Sequence, residues 1–193
     1  MKKLTFALLI LLCPLLLKAD NWLENGDFAD GIDHWHGEGQ TPAAFSNDNP
    51  LDKPDPLMSK GLIFPLKPSN WKKAWQDFRG KLSSGVMTVT YMVSPDLVFS
   101  TKPEDYKNVP NHIGYNEWKS FDVPQGNWVI FLSDFGSLHG TIYPVPPQGT
   151  PGTVQTFKAP VSGLTPMEDK TITLTFPPGK VTIVILSVSI DDK

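Results

Sequence analysis

The amino-acid sequence predicts an all-β protein, an antiparallel β-sandwich of the jelly-roll kind. The 193 residues include 19 prolines and 15 glycines, which recur at short intervals and allow frequent turns. The apolar runs between them are short and rich in Val, Ile, Thr and aromatic residues, which favour strands. No stretch after residue 19 has the periodicity of a long amphipathic helix. Many short strands joined by turns are typical of a sandwich.

Residues 1–19 have the features of a secretory signal peptide. Lys2 and Lys3 give a positive start, an apolar run covers 4–17, and Ala19 marks the expected cleavage point. The apolar run is too short to span a bilayer comfortably. We therefore predict an exported protein, secreted or periplasmic, with no membrane insertion.

The mature chain, residues 20–193, is predicted to fold as a single β-sandwich domain, because its length suits one core. The lone cysteine, Cys13, lies in the apolar run of the signal, so no disulfide is expected. Cleavage removes three of the 17 basic residues and leaves 14 against 20 acidic ones, a net charge of −6. Such a chain is a poor partner for nucleic acid or an anionic membrane surface, since both attract a basic face.

The clearest predicted strand is Thr171–Phe176, in which apolar residues alternate with threonines. Pro177–Lys180 is predicted to turn, with Gly179 available for a positive φ. Val181–Ile190 is then expected to return as the partner strand. Within that second strand the apolar alternation slips by one residue, which indicates a bulge or a crossing between two sheets.

The remaining elements are predicted from the same signals. Tyr143–Gly152 contains four prolines and is predicted to be a stiff loop. Lys102–Lys107 is predicted to make one helical turn. Further strands are predicted at Leu62–Leu66, Trp75–Arg79, Val86–Ser94, Trp118–Val123, Asn127–Ser133 and Val154–Lys158.

The start of the mature chain carries a distinctive pattern of one apolar residue followed by Asn, Gly, Phe, Gly and Trp. It is formed by Leu23, Asn25, Gly26, Phe28, Gly31 and Trp35. The pattern resembles the first strand of carbohydrate-binding modules with a galactose-binding-like jelly roll, the group of families four, nine and twenty-two. Further matches to this group lie at Trp75–Phe78, Val89–Val93 and Val188–Ile190. The resemblance implies the same fold and a polysaccharide-binding ancestry.

The resemblance also implies a structural calcium, held near the first strand and by an acidic pair just before the final Val-Ser ending. Ala29 stands where the first acid is expected, and Leu186-Ser187 replaces the acidic pair. An EF-hand is excluded as well, because Asp30 stands where its loop requires Gly and His36 where it requires Glu. We therefore expect no calcium and no other cofactor.

The pair His34 and His36 could bind zinc on a strand, together with a neighbouring aspartate. Pairs of this kind also occur by chance on exposed strands, and the ligand count is uncertain. We favour an architectural role for this stretch, with Phe28 and Trp35 as core anchors on either side of a turn.

Catalytic motifs are not found in the sequence. There is no glycine-rich phosphate loop and no G-x-S-x-G nucleophile turn. A glycosidase needs two carboxylates facing each other across a cleft. Candidate acids are Glu104, Asp105, Glu117 and Asp122, for which solvated loop positions are the favoured interpretation. We predict that the protein is not an enzyme.

Two aromatic clusters predict a glycan surface, because sugar rings stack on Trp or Tyr while sugar hydroxyls bond to amides. The candidate ligand-binding residues are Trp71, Trp75, Asn111, Tyr115, Asn116 and Trp118. Trp128 lies inside an apolar strand and is predicted to be core. The competing interpretation is that the clusters are also buried, since a sandwich encloses several tryptophans in any case.

These observations predict an exported, non-catalytic module that binds carbohydrate or a cell-surface glycan by aromatic stacking. Two alternatives stay open: a structural or protein-binding sandwich with no glycan ligand, and a jelly-roll enzyme acting on polysaccharide. Exposure of Trp71 and Trp118 would separate the first two. We expect Tyr115 or Trp118 to keep one ring face accessible.

Overall fold

Two antiparallel β-sheets dominate the computed structural model. It describes residues 21–30, 32–38, 43–44, 61–65, 72–93, 98–107, 109–112, 118–134, 140–146, 153–180 and 182–192. The predicted signal peptide, residues 1–19, lies outside these ranges. No helix in the described part of the chain is long and apolar enough to cross a bilayer.

Short strands follow one another along the chain, with a single turn of 3-10 helix at Pro103–Tyr106, inside the helical turn predicted at Lys102–Lys107. The strands are β1 (His36–Glu38), β2 (Ala43–Ala44), β3 (Leu62–Pro65), β4 (Lys72–Arg79), β5 (Ser84–Val93), β6 (Val98–Phe99), β7 (Val109–His112), β8 (Trp118–Phe121), β9 (Trp128–Asp134), β10 (Gly140–Val145), β11 (Val154–Ser162), β12 (Asp169–Phe176), β13 (Gly179–Lys180) and β14 (Thr182–Asp192).

The strands form two five-stranded sheets. The front sheet has the order β1-β4-β12-β9-β10, and the back sheet has the order β11-β5-β14-β3-β2. Two further pairs, β6 with β13 and β7 with β8, stand apart as two-stranded sheets. Every pairing among the described strands is antiparallel. The all-β antiparallel sandwich predicted from the sequence is confirmed.

The core lies between the inner faces of the two sheets. On β12, the apolar residues Ile172, Leu174 and Phe176 alternate with threonines and are fully buried. The predicted core residue Trp128 has no exposed surface and stacks on Phe176, with ring centroids 5.0 Å apart. Burying one side chain of this kind stabilises the fold by about 1.5 to 3 kcal/mol.

The long strand β14 contains the predicted irregularity. Its register against β5 shifts between Ile185 and Ser187, so Leu186 is the extra residue of a bulge. This bulge is the cause that was predicted for the slip in apolar alternation. The bulge turns the later residues of β14 back toward the core.

The predicted hairpin between Thr171–Phe176 and Val181–Ile190 is wrong. Strand β12 pairs with β4 and β9 in the front sheet, whereas β14 pairs with β3 and β5 in the back sheet. The intervening prolines carry the chain from one sheet to the other. Gly179 belongs to the short strand β13, and the described glycines with positive φ are Gly126 and Gly163.

The predicted loop Tyr143–Gly152 is wrong at its beginning, because Tyr143–Val145 completes β10. Among the described strands, β10 pairs with β9 alone and is an edge of the front sheet. An edge strand tolerates a proline such as Pro144, since one side of its backbone needs no partner. The back sheet has a similar edge in β11, which carries Pro160.

The stretch from Asn21 to Trp35 forms a seam against β4 and β14, which we call the N-terminal seam. Gly26 lies so close to β14 that a Cβ atom there would stand 2.2 Å from the Val188 carbonyl oxygen. Phe28 and Trp35 are buried against each other, with ring centroids 5.5 Å apart. The role predicted for Phe28 and Trp35 as core anchors is confirmed, whereas Gly31, of the predicted turn between them, lies outside the described residues.

Polar groups in the N-terminal seam are paired. Gln76 of β4 is 1% exposed. Its side-chain amide both donates a hydrogen bond to the backbone of Glu24 and accepts one from it. Its amide nitrogen donates to the Glu24 carbonyl oxygen over 2.8 Å, and its amide oxygen accepts from the Glu24 N–H over 2.9 Å. The Asn25 side chain likewise donates to the Asp33 carbonyl oxygen over 3.0 Å.

Lys170 is a second buried polar side chain with several partners. Its ammonium donates to the carbonyl oxygens of Thr165 and Glu168, over 2.8 and 2.7 Å. Burial lowers the pKa of Lys170, and the nearby carboxylate of Asp134 opposes this effect. The lysine therefore ties the turn before β12 to the end of the sandwich.

Candidate functional site

The outer face of the front sheet, the side turned away from the core, carries a row of polar and aromatic residues. On the central strand β12 this row consists of Thr171, Thr173 and Thr175, which lie opposite the inward-facing apolar residues. The register places Thr173 between Trp75 of β4 and Phe131 of β9. An aromatic ring therefore stands on each side of the central threonine.

Trp75 is the half-buried aromatic residue of this face. The register pairs it with His36 of β1, which is exposed. The two rings lie 5.8 Å apart between centroids and are tilted by 31°. Since β1 is the edge of the front sheet, this ring pair borders the margin of the outer face.

Hydrogen bonding along the threonine row is uneven. Thr171 donates from its hydroxyl to the Asp77 carboxylate over 2.5 Å, which fixes the orientation of an exposed acid two residues along β4 from Trp75. The hydroxyls of Thr173, Thr175 and neighbouring Ser133 are buried and have no hydrogen-bond partner among the described residues. Buried hydroxyls of this kind are normally satisfied by protein, water or ligand.

The centre of this face is covered, because Thr171, Thr173, Thr175 and Phe131 have no exposed surface. Its accessible margin, formed by Trp75, His36 and Asp77, suits a hydroxylated ligand. A partly exposed indole offers a flat apolar surface to sugar C–H groups, and a fixed carboxylate accepts hydrogen bonds from hydroxyls. Among the described residues, no group of three or more His, Cys, Asp and Glu side chains could hold a metal ion.

The sequence-predicted site residues fall into three groups. Trp75 lies on the outer face of the front sheet. Asn111 and Trp118 lie on β7 and β8, where Asn111 pairs with Lys119 and Trp118 with His112, but the structure describes only their backbone. Trp71, Tyr115 and Asn116 lie outside the described residues. The accessibility expected of Tyr115 or Trp118 therefore stays a prediction.

The two aromatic clusters are linked by the fold. Strand β7 approaches β12, the central strand of the front sheet. The hairpin of β7 and β8, which carries Asn111 and Trp118, therefore adjoins the same sheet as Trp75. This proximity was not predicted, because the two clusters are far apart along the chain and local periodicity carries no information on such contacts.

Two features of the outer face were missed in the sequence. His36 was considered only as a metal ligand, yet it packs beside Trp75, while His34 lies 2.7 Å from the Glu24 carboxylate. The threonines of β12 were recognised as the polar side of a strand but not as part of a site. Their alternation with buried residues was the signal that could have identified them.

Three of the candidate catalytic acids lie at or next to the 3-10 turn, since Val123, which follows Asp122, donates its N–H to the Tyr106 carbonyl oxygen over 2.8 Å. Asp105 accepts a hydrogen bond from the Ser100 hydroxyl beside the 3-10 turn, which is a local structural role. Glu104 and Asp122 are exposed, and Glu117 lies outside the described residues.

Comparison with known proteins establishes the fold. No protein-family model and no curated protein matches the chain. A family 61 carbohydrate-binding module, solved in complex with β-1,4-galactotriose, is similar with a TM-score of 0.55 and 11% identity over 91% of this chain and 100% of that one. The tandem family 22 carbohydrate-binding modules of Paenibacillus barcinonensis Xyn10C give a TM-score of 0.53 and 10% identity over 90% of this chain and 50% of theirs.

A third similar structure is the enzymatically active domain of tailspike protein 4 from bacteriophage CBA120. Its TM-score is 0.56 at 11% identity, over 89% of this chain and 21% of that chain. At such identities the likeness shows the fold alone. The chain has the jelly-roll sandwich of carbohydrate-binding modules, as its resemblance to them predicted.

Proposed function

We propose that this protein is an exported, non-catalytic glycan-binding module, and that Trp75 is a stacking ring of its binding surface. The proposal is supported by the fold, by the resemblance of the N-terminal motif, and by the chemistry of the outer face of the front sheet. The observation that supports it most directly is the half-buried indole of Trp75. This indole lies beside exposed polar groups on the face of the front sheet that is turned away from the core.

Each residue around Trp75 has a role in the proposed surface. The indole face packs against the C–H groups of one sugar ring, and the His36 ring extends that apolar platform. Asp77 projects from the same face, about 6.5 Å along the strand, because side chains two residues apart share one side. Its carboxylate, oriented by Thr171, accepts hydrogen bonds from sugar hydroxyls.

A glycan-array screen of residues 20–193, followed by titration of the best ligand, tests the proposal. Trp75→Ala is expected to weaken binding by about 1 to 3 kcal/mol, by analogy with bases stacking on aromatic side chains. Melting temperature is measured in parallel, so that a loss of binding is not confused with a loss of folding.

Trp22→Ala is the matched control. Trp22 is also half-buried, but its indole donates to Asp192 over 2.8 Å and its ring packs at Gly80. The same truncation there should reduce stability and leave glycan affinity unchanged. Equal affinity of Trp75→Ala and the wild type would contradict the role of Trp75, and the absence of any glycan ligand would favour a structural or protein-binding sandwich.

A further inference from the structure

A pocket of about 280 Å³ lies at the end of the sandwich where β10 finishes and β11 begins. Its walls include Tyr91 of β5, Pro146 after β10, and Gln155 and Phe157 of β11. The Tyr91 hydroxyl donates to the Pro146 carbonyl oxygen over 3.2 Å. This bond joins the back sheet to the end of the front-sheet edge strand and fixes one wall of the pocket.

Gln155 is the unusual residue of this pocket. It pairs with Tyr91 across the strands and is only 8% exposed. Neither its amide nitrogen nor its amide oxygen has a hydrogen-bond partner among the described residues. An amide offers two donors and two acceptor sites, so a buried and unpaired one is costly to maintain.

A second unpaired polar group belongs to Trp128, a neighbour of the pocket residue Tyr91. Tyr91 packs edge-on against Trp128, with ring centroids 5.3 Å apart. The indole N–H of Trp128 is buried and also lacks a partner among the described residues. Native proteins leave few buried polar groups unsatisfied, and three such atoms belong to Trp128 and Gln155. Of these two side chains, Gln155 lines the pocket.

We propose that this pocket binds a small, uncharged, hydroxylated ligand of the size of one sugar ring. Among its described lining residues none is charged, which disfavours an ionic ligand. Tyr91, Pro146 and Phe157 supply apolar walls, while Gln155 supplies donors and acceptors for hydroxyl groups. Both amide atoms of Gln155 are buried in the ligand-free protein, so binding requires the side chain to change rotamer and present the amide to the pocket.

The pocket is separate from the outer face of the front sheet, because Gln155 and Tyr91 belong to the inner face of the back sheet. The inference therefore does not rest on the proposed function. Trp75→Ala should leave binding in the pocket unchanged, so that failure of one proposal can be distinguished from failure of the other.

The test is saturation-transfer NMR on residues 20–193 with a panel of neutral hexoses and pentoses, followed by titration of any that respond. Gln155→Leu is expected to weaken binding by about ten-fold or more, because the ligand loses its hydrogen-bonding partner. Melting temperature should stay equal or rise, since the substitution removes an unpaired buried amide. Gln125→Leu is the control, as Gln125 is exposed and donates to Thr101 instead.

Three outcomes would overturn the inference. If none of the neutral sugars transfers saturation, the pocket has no such ligand. If Gln155→Leu lowers the melting temperature, the amide is paired within the protein. Retained binding in Gln155→Leu with unchanged affinity would also exclude the pocket as the site.

Discussion

Two buried glutamines, Gln76 and Gln155, occupy contrasting regions of the same sandwich. Gln76, in the N-terminal seam, bonds both backbone polar groups of Glu24. The side-chain amide of Gln155, at the pocket, bonds no described residue. The side chains are identical and both are more than nine-tenths buried, so only their surroundings differ.

The contrast between Gln76 and Gln155 separates polar groups that stabilise the fold from polar groups that are available to a ligand. In the N-terminal seam each amide satisfies backbone groups that the seam would otherwise leave unpaired, which fixes the register of residues 21–35 on the sandwich. At the pocket the amide satisfies nothing in the described chain. Substitution should therefore harm folding in the first region and ligand binding in the second.

The largest expected effect is that of Gly26→Ala in the N-terminal seam. The new methyl group would stand 2.2 Å from the Val188 carbonyl oxygen and 2.7 Å from the Asn21 amide. It would force the seam away from β14, and we expect a loss of about 3 kcal/mol in the free energy of unfolding, measured by urea titration.

Gly126→Ala is the control for this substitution. Gly126 has a positive φ but open space around the position of a Cβ atom, so alanine there costs only backbone strain, about 1 to 2 kcal/mol. A smaller loss of unfolding free energy for Gly26→Ala than for Gly126→Ala would show that the N-terminal seam adapts to the added methyl group. The seam would then not be a rigid region to compare with the pocket.

The glutamine pair gives the next largest effect. Gln76→Leu should lower the free energy of unfolding by about 1 to 3 kcal/mol, because the backbone N–H and C=O of Glu24 lose their partners in the buried amide of Gln76. Gln155→Leu, measured under the same conditions, should show no loss. Equal destabilisation by Gln76→Leu and Gln155→Leu would mean that the two glutamines do not differ in the pairing of their amides.

The smallest expected effect is that of chelation. Ala29 is exposed, and its N–H donates to the Asp27 carboxylate over 3.1 Å, so a local carboxylate is already engaged by the backbone. Leu186, in place of an acid, lies in the bulge of β14. We expect no shift of the melting temperature on adding EDTA, since only an ion bound to the native state adds stability.

A calorimetric scan with EDTA, and a second scan with added calcium, would check this expectation. A fall in melting temperature on chelation, reversed by calcium, would place a metal in the N-terminal seam and give it a source of stability beyond its hydrogen bonds.

Much of the fold was predictable because local alternation and turn residues determine strands. Thr171–Phe176 shows the strength of that signal and its limit. Its inner face was predicted, but its pairing was not, because pairing partners are chosen by the packing of distant segments. Likewise Pro144 indicated a loop, since the sequence alone does not show that β10 is an edge strand where a missing N–H is harmless.

The candidate sites were less predictable than the fold. Trp75 was identified because aromatic residues among polar ones are a local signal. The pocket was not, since Tyr91 is far in the chain from Pro146 and Gln155. It meets Gln155 through the pairing of β11 with β5 and Pro146 through a hydrogen bond. In the sequence, a glutamine that becomes buried also cannot be distinguished from any other polar residue of an edge strand.

The prolines of the two edge strands have a consequence for self-association. Unpaired edges are where sheets of separate molecules join and begin to aggregate. Pro144 in β10 and Pro160 in β11 each remove one N–H from the edge strands of the front and back sheets. An incoming strand would find no donor at those positions, so growth of either sheet by addition of a second molecule is discouraged at these two edges even when the protein is crowded on a surface.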